Sequence, residues 1–343
     1  MGQYADLTSS VPSTILSCSL TMDTTATKIY QHLLGAHKIV IAPHQNPDGD
    51  AIGAATAFQE YLANYGKDAQ IFCATPVNPS LHFLPHATEV TDDAAVFNNK
   101  AVDTIVVLDS GDLRYNGIAN LVAGHPATLI NIDHHPTNER YGHINFVMPT
   151  AASTTEILFH YFRRNRIHIN HKMATSLLTG LSTDTGNFTN AATSVSALAA
   201  SAELLSSGGN FNLVTHETLA NKSISALRLW GLVSSRLERD TATGLTSTYM
   251  TQEDLKRFMV PDSEAEGISN FLNNLENTPI ALVLRELPDG QIKGSFRTTH
   301  DDIDVSSLAK QLGGGGHKKA AGFTQPGPIE AVLQKIRAML SGG

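Results

Sequence analysis

Cysteine is scarce in this chain: Cys18 and Cys73 are the only two. Two thiols so far apart make no disulfide framework and point to a reducing cytoplasm. They also supply too few thiolates for a sulfur-rich structural zinc site. Long apolar runs are missing too, so no segment is expected to cross a membrane. A basic excess is absent: 24 Lys and Arg stand against 32 Asp and Glu, a formal net charge of −8. Proteins that grip long nucleic acid carry a basic stripe. Its absence excludes long duplex as a partner and leaves short pieces, held by local cations or metal ions. No Lys or Arg precedes the mildly apolar stretch 11–20, which argues against a secretory signal. Asp6 stands where a myristoylation site needs Ser or Thr. Residues 1–24 read as a flexible extension, with Met22 as an alternative start.

What is present is ordinary for a globular protein, with 41% hydrophobic and 16% charged residues. A length of 343 residues suits two domains better than one core. From about residue 25 strand and helix patterns alternate. KIVIAP (38–43), AQIFCA (69–74), TIVVLD (104–109) and ATLINID (127–133) read as short buried strands. Helical patterns cover 51–66, 151–165 and 171–181. Such alternation predicts an α/β fold with a mostly parallel sheet covered on both faces. After residue 190 the texture changes. Helical stretches at 194–207 and 211–239 look like a connector. A smaller α/β unit follows: a strand at 243–250, a helix at 268–277, strands at 280–287 and 291–298 joined by the turn Pro288-Asp289-Gly290, a helix at 304–312, the run Gly313 to Gly316, and a helix at 327–340. The expected division is 1–24 extension, 25–193 first domain, 194–239 connector and 240–343 second domain.

The informative residues stand where strands end. Strand 38–43 runs into His44-Gln45-Asn46-Pro47-Asp48-Gly49-Asp50, strand 104–109 ends in Asp109, and strand 127–132 ends in Asp133-His134-His135. A later helix delivers Asp184-Thr185-Gly186. Open parallel sheets bind ligands beyond their carboxyl ends. Gathered carboxylates repel one another, and burial raises their pKa values. Divalent cations remove that conflict. Carboxylate with imidazole suits manganese, iron or cobalt; magnesium prefers carboxylate and water. Taken singly, each piece has a plainer explanation: a helix cap, a turn, a surface histidine pair. Their occurrence together on one sheet edge is what carries weight.

In this order, H-x-N-P-D-G-D-A-I-G, L-D-S-G-D, I-D-H-H and T-D-T-G resemble the DHH phosphoesterases. Ser295-Phe296-Arg297, the run Gly313-Gly314-Gly315-Gly316-His317, and Ala320-Ala321-Gly322 are similar to the DHHA1 signature. The resemblance spans roughly residues 30–340, and by size and layout it is nearest the oligoribonuclease and PAP phosphatase branch. It implies hydrolysis of short oligoribonucleotides and 3′-phosphoadenosine 5′-phosphate (pAp), in a cleft between the two domains. It implies two divalent cations, best as Mn²⁺ with Mg²⁺ or Co²⁺ as alternatives. His44, Asp48 and Asp109 would hold one; Asp50, Asp109, His134 and Asp184 the other; Asp109 would bridge. Asp133 would orient a ligating imidazole, and His135 would touch the scissile phosphate. Asp112 is expected to cap a helix. Arg297, Gly314, Gly315, Gly316 and His317 would hold a substrate phosphate, with Lys318 and Lys319 as added positive field. A cyclic or linear dinucleotide phosphodiesterase is the alternative within the superfamily, and a non-catalytic nucleotide-binding regulator the alternative outside it. A homodimer is compatible with the sequence.

Overall fold

The structure, a computed structural model, describes residues 13–341 apart from Lys100, 221–222, 262–267, 269–271, 273–274 and 276–277. The chain divides into two compact units. The first holds α1 (Ser13–Gly35), β1 (Lys38–Pro43), α2 (Gly49–Asn64), β2 (Asp68–Ile71), β3 (Thr104–Leu108), α3 (Leu113–Asn116), α4 (Ala119–Val122), β4 (Thr128–Asp133), β5 (Ile144–Val147), α5 (Thr154–Arg164), α6 (His171–Asp184) and α7 (Val195–Ser206). Its sheet has the order β2-β1-β3-β4-β5, and every pairing is parallel. The central strands are apolar along their length because both faces are covered. The strand order reverses between β1 and β3. The carboxyl ends of those two strands therefore flank a crevice where doubly wound sheets bind ligands.

Helices α2 and α6 run antiparallel in close contact, and small residues make this possible. A Cβ on Gly53 would lie 2.5 Å from the Ser176 carbonyl oxygen, and one on Gly180 would lie 2.3 Å from Asp50 Oδ1. The Thr56 hydroxyl donates to Ser176 Oγ at 2.9 Å across the seam. This packing sets the start of α2, with Asp50, beside the end of α6, with Asp184.

The second unit contains α8 (Phe211–Thr215, from Asn212 on), a π-helical turn His216–Ala220, α9 (Ile224–Ser235), β6 (Glu238–Arg239), β7 (Leu245–Met250), α10 (Gln252–Phe258), β8 (Ile280–Glu286), β9 (Gln291–Arg297), α11 (Val305–Gln311), β10 (Gly315–His317), β11 (Ala320–Pro326) and α12 (Ile329–Ser341). Its mixed sheet has the order β10-β11-β9-β8-β7-β6, with only β7 and β8 parallel among these pairs. Leu282, Leu284, Phe296 and Phe323 pack with Val305 and Ile336 beneath it.

The α/β class with a parallel first sheet and a smaller second unit stands as expected. Several local expectations change. Residues 1–12 of the expected extension lie outside the described residues, and from Ser13 the chain is helical. Strand β5 was not expected; it is four residues long with alternating burial, a weak signal beside the apolar runs. The stretch 211–239 is two helices and a short strand, restarted at the Ser223 cap. Most of the helix expected at 268–277 lies outside the described residues.

Candidate metal centre

Beyond β1 the chain turns through His44. The buried Asn116 side chain holds this turn, donating to the carbonyls of Ala42 at 3.0 Å and Pro43 at 2.8 Å. Asp112 caps α3 as expected, accepting from the backbone N–H groups of Arg114 and Tyr115. The Tyr115 ring lies 5.3 Å from that of His44. Asp48, in extended backbone, caps α2 by accepting from Asp50 N at 3.0 Å and Ala51 N at 3.1 Å. Asp50, one helical position inside, is fully buried. Its Oδ2 accepts from Thr154 N at 2.6 Å, and its Oδ1 from Thr155 N at 2.9 Å and Thr155 Oγ1 at 2.7 Å.

Asp109 is the hub. It follows β3 directly and takes a left-handed backbone, φ 58°, a conformation a non-glycine residue adopts at some cost. Its N–H donates to the Ile132 carbonyl at 3.0 Å, which ties the turn to β4. Asp109 Oδ2 stands 3.5 Å from His44 Nε2, and Oδ1 stands 3.5 Å from His134 Nε2. His134 Nε2 is also 3.3 Å from Asp184 Oδ2. His44–Asp48–Asp109 and Asp50–His134–Asp184 each bring ligand-type atoms within 4.8 Å of one another, as do Asp109, Asp133 and His135.

Charges here conflict in the way the sequence suggests. Burial, then repulsion from Asp109 and Asp48, drives the Asp50 carboxyl well above its ordinary range. Asp184 is raised by burial and by Asp50, Asp48 and Asp109. Burial would raise Asp109 as well, yet the His44 hydrogen bond and the imidazoles of His135 and His134 hold it well below the usual carboxylate range. Burial opposes charge on His44, but Asp109 and Asp48 push it up to about 9. His134 goes the other way, lowered chiefly by burial. A neutral imidazole is the form that binds a metal ion.

Asp133 differs from expectation. It is fully buried, and its Oδ1 accepts from His135 Nδ1 at 2.7 Å while Oδ2 accepts from Asn138 Nδ2 at 2.6 Å. It therefore orients His135. The His134 ring is held by a backbone hydrogen bond at Ala151 instead. The reason is local: Asp133 closes β4 and the turn comes only at Pro136 and Thr137, so His135, two residues on, lies on the same side of the chain as the carboxylate.

In the second unit, Ala320 on β11 pairs with Arg297 on β9 and with His317 on β10. Directly opposed residues share a face, so Arg297 and His317 stand in one row with a small residue between them. Gly314 to Gly316 are not an open loop. Gly315 and Gly316 pair with Gly322 and Ala321, and a Cβ on Gly314 would lie 2.1 Å from the Gly322 carbonyl oxygen. A Cβ on Gly316 would lie 2.6 Å from the Ala320 carbonyl oxygen, whereas one on Gly315 meets open space. Lys319 is spent on structure: its ammonium donates to the carbonyls of Thr299 and His300 and pairs with Asp301.

The DHH family N-terminal domain matches residues 38–181, and the DHHA1 domain matches 250–342. A bifunctional oligoribonuclease and PAP phosphatase NrnA from Thermus thermophilus is 33% identical over 88% of this chain and 90% of its own. This chain is a DHH/DHHA1 phosphoesterase. The NrnA protein of Bacillus subtilis is 28% identical over 83% of this chain and 88% of its own. An exopolyphosphatase-related protein from Bacteroides fragilis, 26% identical, superposes with a TM-score of 0.85 over 93% of this chain and 96% of that one. No described helix of this DHH/DHHA1 protein is long and apolar enough to cross a membrane.

Sequence reasoning passed over four residues that build this candidate site: Asn116, Asn138, Thr154 and Thr155. One signal was available. Ser153-Thr154-Thr155-Glu156 is a capping-box pattern, and Ser153 Oγ does accept from Glu156 N at 3.0 Å. A helix start announced at that point would have placed two threonines near the strand ends.

Proposed function

We propose that this protein hydrolyses phosphate esters of short nucleotides, namely oligoribonucleotides a few units long and pAp, with two divalent cations, Mn²⁺ preferred and Mg²⁺ or Co²⁺ as substitutes. One observation carries the reading: the two oxygens of Asp109 face different imidazoles, each inside its own carboxylate–imidazole group. The donor set fits such ions. It mixes oxygen and ring nitrogen without sulfur, and its crowded carboxyls are raised by burial and by a mutual repulsion that a cation relieves. His44, Asp48 and Asp109 would hold one ion; Asp50, Asp109, His134 and Asp184 the other. When bound, such a pair would activate a water nucleophile and neutralise charge gathering on the phosphoryl oxygens.

The protein's own groups do the rest. Asp109 keeps both donor groups in register. Asp133 holds the His135 ring for contact with the scissile phosphate. Arg297 and His317, with the backbone of Gly314 to Gly316, grip a terminal phosphate or the nucleotide backbone. The substrate class follows the relatives, whose names describe action on oligoribonucleotides and PAP. So few cysteines, with Cys73 free, suit a cytoplasmic enzyme. The test is turnover with Mn²⁺ on a panel of pAp, pGpG, pApA, a 5-mer and a 20-mer RNA, cyclic di-AMP and pyrophosphate. Turnover highest on pAp and the short RNAs is the expected result; turnover confined to cyclic di-AMP or pyrophosphate contradicts the substrate assignment.

A further inference from the structure

The first turn of α5 touches two of the candidate ligands at once. Thr154 N donates to Asp50 Oδ2 at 2.6 Å, and the Thr154 hydroxyl donates to Asp109 Oδ1 at 3.0 Å. Thr155 completes the hold on Asp50 through its N–H and its hydroxyl. Both threonines are fully buried, so neither is placed to meet substrate. The Ser153 cap fixes their backbone, and Gly180 on α6 leaves the space that Asp50 and Thr155 occupy, since a Cβ there would lie within 2.3–2.5 Å of both.

We infer that Thr154 is a positioning residue that couples the two halves of the metal centre. Asp50 belongs to one donor group, and Asp109 Oδ2 faces the other. A single residue therefore sets the spacing between a carboxylate held by α2 and a carboxylate held by β3. The hydroxyl fixes the rotation of the Asp109 carboxylate: with Oδ1 bonded to Thr154 on the His134 side, Oδ2 is turned toward His44. Together these contacts set both the spacing and the aim of the two carboxylates.

This inference rests on the two-cation reading, and the experiment separates the two. Chelator-stripped full-length wild type, Thr154→Val and Thr154→Ser are titrated with Mn²⁺ by calorimetry, and their thermal midpoints are read without metal. Valine keeps the volume and loses the hydroxyl; serine keeps the hydroxyl. Outer contacts to metal ligands commonly change affinity or activity by about ten- to a hundredfold. Thr154→Val is expected to bind Mn²⁺ about ten- to a hundredfold more weakly, while Thr154→Ser stays close to wild type. On pAp, kcat at limiting Mn²⁺ should fall with affinity, and KM for pAp should change little. Wild-type Mn²⁺ affinity in Thr154→Val overturns the inference and leaves the two-cation reading standing. A wild type that binds no Mn²⁺ overturns both. If Thr154→Val fails to fold, Thr154→Ala takes its place beside Thr154→Ser, and equal affinities in those two overturn it.

Discussion

The strand-end rim of the first unit and the β9–β11 rim of the second carry their polar residues in opposite ways. At the first rim most are sunk, Asp48 being exposed. Asp50 and Asp133 are fully buried and Asp109 is 2% exposed, and their carboxylates accept hydrogen bonds from Thr154, Thr155, His135 and Asn138. At the second rim the row of His317, Ala320 and Arg297 is half-buried and lies on a sheet whose glycines mainly let strands approach. Buried, fully answered charges are costly to arrange and hold their geometry tightly. Half-buried residues on a rim can meet a ligand that arrives from solvent. The contrast teaches that the first rim suits chemistry, which needs fixed geometry, and the second suits recognition, which needs access.

The sharpest way to break this contrast is at Asp109. Asp109→Ala removes the group common to both halves of the centre, and kcat at saturating Mn²⁺ should fall by at least about a hundredfold, as when a preorganised charge stabiliser is lost. Retention of a tenth or more of wild-type turnover would remove Asp109 from its bridging place. Arg297→Ala at the other rim should act differently. A lost hydrogen bond to a charged group costs about 1.5–3 kcal/mol, roughly ten- to a hundredfold in kcat/KM for pAp. Bis-p-nitrophenyl phosphate, which lacks a terminal phosphate to grip, should be nearly unaffected. Equal losses on both substrates would mean that Arg297 supports the fold.

The glycines sharpen the comparison further. Gly314→Ala must push backbone aside and should cost about 1–3 kcal/mol, seen as a lower thermal midpoint. Gly315→Ala meets open space and should leave the midpoint where it is, so any effect on pAp turnover reports ligand contact. A lowered midpoint for Gly315→Ala would assign that glycine to packing too. The smallest effect is expected at Asp254. Burial opposes its ionisation, but Arg236, donating from Nη2 at 2.8 Å, and the Thr251 N–H hold its carboxyl below the ordinary range. A depressed folded pKa stabilises above the unfolded value of about 3.9 and loses that contribution as pH falls below it. The stability gap between wild type and Asp254→Asn, measured by urea unfolding, should therefore shrink from pH 6 toward pH 3; a constant gap would remove the pair from the acid response.

How much could be read in advance follows the same physics. His44, Asp48, Asp50, Asp109, His134 and Asp184 stand at strand and helix ends, where apolar runs stop abruptly, and such breaks are plain in a sequence. The partners of those residues are not, because Thr154 and Asn138 look like ordinary cap and turn residues until the fold brings them close. The Asp133 bond to His135 depended on where the chain stops being extended after β4, which the apolar run, ending at Ile132, does not show. The local form of the glycine run was not legible either: glycine permits both an open loop and a tight strand contact, and only the pairing of β10 with β11 decides.

The most direct test of the two-cation centre is metal removal and return. Chelator-stripped protein, with metal absence confirmed by mass spectrometry, should be inactive on pAp. Mn²⁺ should restore turnover better than Zn²⁺ or Ca²⁺, with about two ions bound per chain. Full turnover by the stripped protein in excess EDTA would contradict it.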